Sequence, residues 1–328
     1  MSNKSQDYHQ LSPATVLTAV ESVGLLCDGR LQALNSFENR VYLLGLEDGS
    51  EIIAKFYRPE RWTDEQILEE HAFSLELAEN DIPVVTAMYF SEQQLFSFEN
   101  FRFSLFPKKG GRAMDIENFD VLEQMGRFLG RLHQVGKSKP FTDRPALTIK
   151  TFGIEAREYI LNNDFIPPDL TPAYESLTSN LIEQIQQNYQ QAGAIELIRT
   201  HCDFHQGNIL WTDETPHIVD FDDCRSAPAI QDLWMMLSGD RQDMAASLDA
   251  ILEGYTQFCE FNHRELSLIE ALRTLRLMHY YAWLAKRWTD PAFKIAFPWF
   301  NNQRCWEEHI LSLREQAAVM NEAPLALF

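Results

Sequence analysis

The pattern of apolar and polar positions changes character twice along this chain. Residues 13–23 show short helical spacing, with Ser12 placed to cap the start, Pro13 in the first turn and Gly24 just past the end. Residues 31–34, 40–46 and 51–57 are short apolar runs of strand type, and Asp48-Gly49 between the last two marks a hairpin. Helical spacing returns over 64–79, where Ile67, Leu68, Phe73, Leu75 and Leu77 are the candidate core positions. Two more strands are predicted at 84–90 and 101–106, and Pro-Lys-Lys-Gly-Gly at 107–111 is a natural break.

Beyond that break the pattern is mostly helical. Residues 118–135 carry Leu122, Met125, Phe128, Leu129 and Leu132 on one face, and 172–190 form another helix. Residues 195–223 revert to short β-type runs joined by polar loops. Helices follow near 230–237, 244–261, 266–288 and 304–320, and no internal repeat or low-complexity segment interrupts them. A small sheet with one helix, then a helical body with a β insertion, predicts an α+β fold in two lobes, residues 1–107 and 108–328. Residues 1–12 read as a frayed tail.

Composition narrows the class. The 328 residues are 45% apolar, with 22 Phe and 7 Trp, enough to expect a folded chain throughout. A net charge of -20 repels nucleic-acid backbones and anionic lipid, so neither partner is expected; solubility is the plainer meaning of that charge. The five cysteines are irregularly spaced without a Cys-x-x-Cys pair, which fits reduced thiols and the cytoplasm. The polar N-terminus lacks a signal core, and no window approaches ~18 consecutive apolar residues.

Candidate chemistry concentrates in one stretch. His201-Cys202-Asp203-Phe204-His205-Gln206-Gly207-Asn208 is followed by the acidic run Asp220-Phe221-Asp222-Asp223. Phosphoryl transfer needs a group to take the hydroxyl proton and oxygen ligands to hold Mg²⁺ against the phosphates of ATP. Asp203 suits the first task; Asn208 and Asp220 suit the second. The spacing His-x-Asp-x-x-x-x-Asn matches a kinase catalytic loop, and Asp-Phe-Asp stands where kinases carry Asp-Phe-Gly. A plain loop of turns and caps would explain any one of these residues, but not the ordered set between two β-type runs.

Upstream, Ile53-Ala54-Lys55 is similar to the strand whose lysine binds ATP phosphates, and Glu70 on the next helix is the expected partner of Lys55, with Glu69 as the alternative. No glycine-rich loop precedes Lys55. The Ser36 hydroxyl and nearby backbone N–H groups of 35–40 either cradle phosphate or belong to an ordinary hairpin turn. His201, Cys202 and His205 as zinc ligands, in a metallohydrolase, form a weaker reading without a metal motif. The aromatic group Tyr280, Tyr281, Trp283, Trp288, Phe293, Phe297, Trp299 and Phe300 reads as core packing, with a cage for a cationic substrate as the alternative. Asp222 and Asp223 fit a turn or helix cap, Asp222 being a secondary metal candidate.

Together these residues resemble the aminoglycoside phosphotransferase-like branch of the protein-kinase-like superfamily. The longer blocks NSFENRVY, AKFYRPERWTDEQILEEH, HCDFHQGNILW, VDFDD, PAIQDLWMML and RWTDPAFKIAFPW are similar to the bacterial stress response kinase A family, over about residues 35–300. The resemblance implies a bilobal kinase-like fold and a Ser/Thr protein kinase acting with ATP and Mg²⁺ in a stress response. Lobe 1–107 would bind nucleotide, and 108–328 would carry the catalytic loop and metal site. It implies Asp203 as base, Asn208 and Asp220 as metal ligands, Lys55 with Glu70 at the phosphates, Leu105, Phe106 and Pro107 against adenine, and Asp232 holding the catalytic loop. A protein hydroxyl would be the acceptor and a monomer the working form. A small-molecule kinase and an inactive ATP-binding module are the alternatives. Cys202 stands where Ser/Thr kinases of eukaryotes carry Arg, and only eleven residues separate Asp220 from Asp232, leaving little room for an activation segment.

Overall fold

The computed structural model describes residues 8, 11–212 and 215–327. Contacts divide the chain into two compact units. One comprises residues 1–115, 141–144 and 203–224; the other comprises 116–140, 145–202 and 225–328.

The first unit is built on a five-stranded antiparallel sheet. It consists of β1 (Cys27–Ala33), β2 (Arg40–Leu46), β3 (Glu51–Phe56), β4 (Phe96–Phe98) and β5 (Phe101–Pro107), in the order β1-β2-β3-β5-β4. Helix α1 (Pro13–Glu21), capped by the Ser12 side chain, buries Val16, Ala19 and Val20 in the same core as Leu44, Ala54, Phe56 and Phe103. Tyr8 and Leu11 also join this core, and the Tyr8 hydroxyl donates to the Phe56 carbonyl at 2.8 Å. The expected tail is therefore anchored at Tyr8; residues 1–7, 9 and 10 of that expectation lie outside the described residues.

The side chains of β3 alternate, as a strand requires. Ala54 and Phe56 enter the core, while Ile53 and Lys55 line a cavity. Helix α2 (Asp64–Glu79) begins with a reciprocal capping box between Thr63 and Gln66. It buries Ile67, Phe73 and Leu77 as expected, but also Glu70, His71 and Ser74. Leu68 is exposed, which corrects its place among the core positions: the helix turns a partly polar face inward.

Residues 84–90 do not form the expected strand. The Val85 N–H bonds the Ile218 carbonyl and the Met88 N–H bonds the Leu105 carbonyl, so the segment is shared between two partners rather than paired along one ladder. The hairpin from β4 to β5 carries no glycine signal in the sequence: its turn is Glu99-Asn100, both with positive φ (46° and 68°). A second antiparallel sheet in this unit joins β6 (Arg112–Ala113), β8 (Ile209–Trp211) and β9 (Pro216–Ile218).

The second unit is mainly helical. Helices α3 (Phe119–Lys137), α4 (Glu155–Asn162), α5 (Thr171–Ala192), α6 (Ile230–Trp234), α7 (Arg241–Tyr255), α8 (Ile269–Arg287), α9 (Pro291–Ala296) and α10 (Gln303–Val319) accompany a two-stranded ribbon of β7 (Ile198–Thr200) and β10 (Arg225–Ala227). Helix α7 stops at Tyr255 and α6 at Trp234, each short of its expected end. Helices α3 and α7 touch backbone to backbone: a Cβ on Gly126 would lie 1.9 Å from the Ile251 carbonyl oxygen, and one on Gly254 would lie 1.9 Å from that of Glu123. The aromatic group packs as core around Phe293, Phe297 and Phe300, with Tyr280 and Trp299 partly exposed at its rim.

Candidate active site

The hairpin of β8 and β9 brings the two polar motifs together. Ile209 pairs with Ile218, so Asn208 just before β8 lies beside Val219 just after β9, and the Val219 N–H bonds the Asn208 carbonyl at 3.0 Å. The chain then turns sharply, with Asp220 in the left-handed region (φ 62°, ψ 65°), into a 3₁₀ turn over Phe221–Asp223. Cys202, immediately before Asp203, also has positive φ (66°). Such a conformation costs a non-glycine residue roughly 1–3 kcal/mol, and it persists only where surrounding bonds hold it.

Those bonds are present. In the second unit, the Asp232 carboxylate of α6 accepts the backbone N–H groups of His201 (2.9 Å) and Cys202 (2.7 Å), and it meets His133 Nε2 at 3.0 Å. The Gln231 amide donates to the Cys202 carbonyl at 3.1 Å. The N-terminus of α6 is itself fixed by buried Glu265, whose carboxylate accepts the Ile230 N–H at 2.9 Å. Burial pushes Glu265 up to about 7, against the pull of the Ile230 N–H.

In the first unit, Asn208 Nδ2 donates to the Asp203 carbonyl (3.0 Å) and to its Oδ2 (3.3 Å), while His205 Nε2 lies 3.4 Å from the same oxygen. The Asp203 carboxylate is thus oriented from two sides and keeps 23% of its side-chain surface exposed.

A cavity of about 340 Å³ opens in this unit. Val41, Ile53, Val85, Phe106, Leu210 and Val219 give it apolar walls. Lys55, Glu70, Asn208, Asp220 and Ser36 also line it, with Lys55 within 3.5 Å of Glu70 and of Asp220. Of the sequence-predicted site residues, Lys55, Glu70, Ser36, Phe106, Asn208 and Asp220 line it; Asp203 does not, and is tied to it through Asn208. A cavity of that volume with both apolar and charged walls suits a purine nucleotide in size and chemistry. The oxygens of Asp220 and Asn208 are the hard donors that Mg²⁺ takes alongside phosphates, so the residues fit that ion as well.

Lys55 sits at the centre of an ionic network. Its Nζ lies 3.5 Å from Glu70, 3.2 Å from Asp220 and 3.2 Å from Asp222. Glu69 instead accepts the backbone N–H groups of Asp143 (2.9 Å) and Arg144 (2.6 Å), so Glu70 is the carboxylate paired with Lys55. Burial alone would push the Lys55 ammonium down; Asp222, Glu70 and Asp220 overcome this and hold it well above the usual lysine range. Burial pushes Glu70 up, opposed by Lys55 and Arg144. Burial would likewise raise Asp222, but Arg61 and Lys55 bring it down to about 2.

Three of these participants were not legible as site residues. Arg61 bonds both Asp222 and Asp223; Arg144 bonds Glu70 (2.6 Å) and the Asp222 carbonyl (2.6 Å); the Trp62 ring lies against both guanidinium groups, 5.2 and 4.4 Å away. Arg61 stands in the Arg-Pro-Glu-Arg-Trp run, a usable signal, but nothing local to Arg144 marks it. Asp222 is buried among cations rather than open to the cavity as a metal ligand.

Comparison with known proteins adds an independent line. The model of the Phosphotransferase enzyme family matches residues 30–269. Stress response kinase A of Escherichia coli (strain K12) is 42% identical over 327 residues, spanning 100% of this chain and 99% of that protein. Serine/threonine protein kinase RdoA of Salmonella typhimurium is 40% identical over the same spans. Among solved structures, amicoumacin kinase hAmiN in complex with AMP-PNP, Ca²⁺ and Ami superposes with a TM-score of 0.73 at 20% identity, over 96% of this chain and 95% of that one. A microcompartment-associated aminopropanol kinase gives 0.70 at 15% identity, over 93% and 96%. These likenesses show an α+β kinase-like fold.

Proposed function

The chain belongs to the phosphotransferase enzyme family, among the stress response kinase A relatives, and from that premise we propose that it transfers the γ-phosphate of ATP to a serine or threonine hydroxyl of a protein. It is an ATP-dependent kinase. The reading rests on the convergence of Lys55, Asn208 and Asp220 on one cavity that is also walled by apolar side chains.

The adenine ring lies between those apolar walls against Phe106, and Lys55, oriented by Glu70, meets the phosphates. Ser36 contributes its hydroxyl from the β1–β2 loop. Asn208 and Asp220 hold Mg²⁺, which when bound neutralises phosphate charge. Asp203 takes the proton of the acceptor hydroxyl on its carboxylate, kept in orientation by Asn208 and His205. Catalysis on this plan is chiefly positioning and electrostatic stabilisation.

Residues 1–107 act as the nucleotide-binding lobe and 108–328 carry the catalytic loop and metal ligands. The working form is a cytoplasmic monomer. Among the described residues no helix is long and apolar enough to cross a membrane, and the net charge of -20 disfavours nucleic-acid and anionic-lipid partners.

The test supplies γ-labelled ATP and Mg²⁺ with a basic protein acceptor and, separately, a panel of amino alcohols and sugars. Label on protein serine or threonine, absent with Asp203→Asn, is the expected outcome. Label on small molecules alone would move the acceptor to a metabolite hydroxyl.

A further inference from the structure

Two carboxylates lie equally close to Lys55 but differ in freedom. Asp220 and Asp222 are each 3.2 Å from its Nζ, yet the Asp220 side chain is 53% exposed and that of Asp222 only 4%. Asp220 faces the cavity. Asp222 is fixed at three points: its carboxylate bonds Arg61, its other oxygen meets Lys55, and its carbonyl accepts Arg144 Nη1 at 2.6 Å. Arg61, with 10% of its side-chain surface exposed, is itself braced by Asp223 at 2.7 Å and Glu38 at 3.7 Å.

We propose that Asp222, fixed by Arg61, is the standing counter-ion of Lys55, and that this frees Asp220 to exchange the lysine for a divalent cation. The inference rests on the reading of Asp220 as a metal ligand. Without Asp222, the buried ammonium would keep only Glu70 and Asp220, and a metal would compete with Lys55 for the latter. With Asp222 in place, Asp220 can leave while Lys55 retains two carboxylates. Arg61 is therefore a positioning residue, acting through Asp222 and not on the nucleotide. Arg144 joins the Glu70 carboxylate to the Asp222 carbonyl, so both lasting partners of Lys55 are braced by one guanidinium.

The experiment measures binding of a non-hydrolysable ATP analogue by calorimetry across a Mg²⁺ titration, with thermal melting to verify folding. In Asp222→Asn, the Mg²⁺ concentration for half-maximal tightening should rise by about tenfold or more, a modest part of what breaking a buried ion pair costs. Metal-free binding of the analogue should change much less, because Lys55 and the apolar walls of the cavity remain. Arg61→Gln should move the Mg²⁺ requirement in the same direction and carries the test should Asp222→Asn fail to fold; Arg61→Lys should lie nearer the parent protein. An unchanged Mg²⁺ requirement in folded Asp222→Asn or Arg61→Gln would overturn the counter-ion role alone. An unchanged requirement in Asp220→Asn would overturn the metal-ligand reading and the counter-ion role together.

Discussion

In the turn after β9, the buried carboxylate of Asp222 is surrounded by cations, Lys55 and Arg61. In α6, the buried carboxylate of Asp232 meets the backbone N–H groups of His201 and Cys202 and the ring of His133. Both arrangements satisfy a carboxylate that burial would otherwise penalise, but they respond differently to a ligand. Coulomb interactions act at range and are redistributed when phosphate and metal charges arrive. Hydrogen bonds to backbone N–H groups are short-ranged and directional, and they hold one backbone geometry. The turn bearing Asp220 is held by charges that an ionic ligand can re-partition, and the segment leading into Asp203 is held by bonds that such a ligand leaves alone.

The largest break in that comparison is Asp232→Ala. It orphans two buried N–H groups and one nitrogen of His133, and should cost about 3–5 kcal/mol in urea unfolding. Asp232→Asn keeps one acceptor oxygen and should cost less. A loss below about 1 kcal/mol for the alanine variant would show that the segment before Asp203 is held by something else.

The two regions should also answer pH with opposite signs. Glu265, which fixes the start of α6, is raised from 4.5 to about 7 in the folded chain. The folded state therefore binds its proton more tightly, and the stability it contributes is full below about 4.5 and lost as pH rises through 7, roughly 3 kcal/mol in all. Glu265→Gln, which keeps an acceptor for Ile230, should flatten the decline between those values. Asp222 is lowered from 3.8 to about 2, so its contribution is full above 3.8 and lost as pH falls through 2, roughly 2 kcal/mol. Asp222→Asn should remove that part of the acid transition. Unfolding curves at a series of pH values read both, and the same sign for both variants would refute the contrast.

The smallest effect concerns the helix that presents Glu70. Thr63→Ala removes the side-chain acceptor for the Gln66 N–H and should cost about 1 kcal/mol of stability, leaving the Asp232 region untouched.

How far the sequence reveals this molecule depends on the range of the forces involved. Helix α2 is legible over 64–79 because helical spacing is local, and the structure adds a capping box between Thr63 and Gln66 at its start. The grouping of Asn208 with Asp220 was readable because a short hairpin joins them. The helical face favours Glu70, since Phe73 and Leu77 follow it into the core, but it leaves Glu69 open; the bonds from the Asp143 and Arg144 N–H groups to Glu69 decide between them. Arg144 was not readable, because its partner Glu70 is 74 positions away and its own segment has no periodicity. Arg61 reaches Asp222 across 161 positions, a pairing that only the folded chain creates. Residues 84–90 misled because their apolar composition suits a strand, while their N–H groups are divided between Ile218 and Leu105.

Whether Asp203 is the base is tested by comparing binding with turnover in Asp203→Asn. Calorimetry with the non-hydrolysable ATP analogue and Mg²⁺ should give an affinity within about threefold of the parent protein, since Asp203 does not line the cavity. Transfer of labelled phosphate to a protein acceptor should fall by ~10²- to 10⁴-fold, the scale of a lost general base. Undiminished transfer by the folded variant would contradict the account, because it would remove Asp203 from the chemistry.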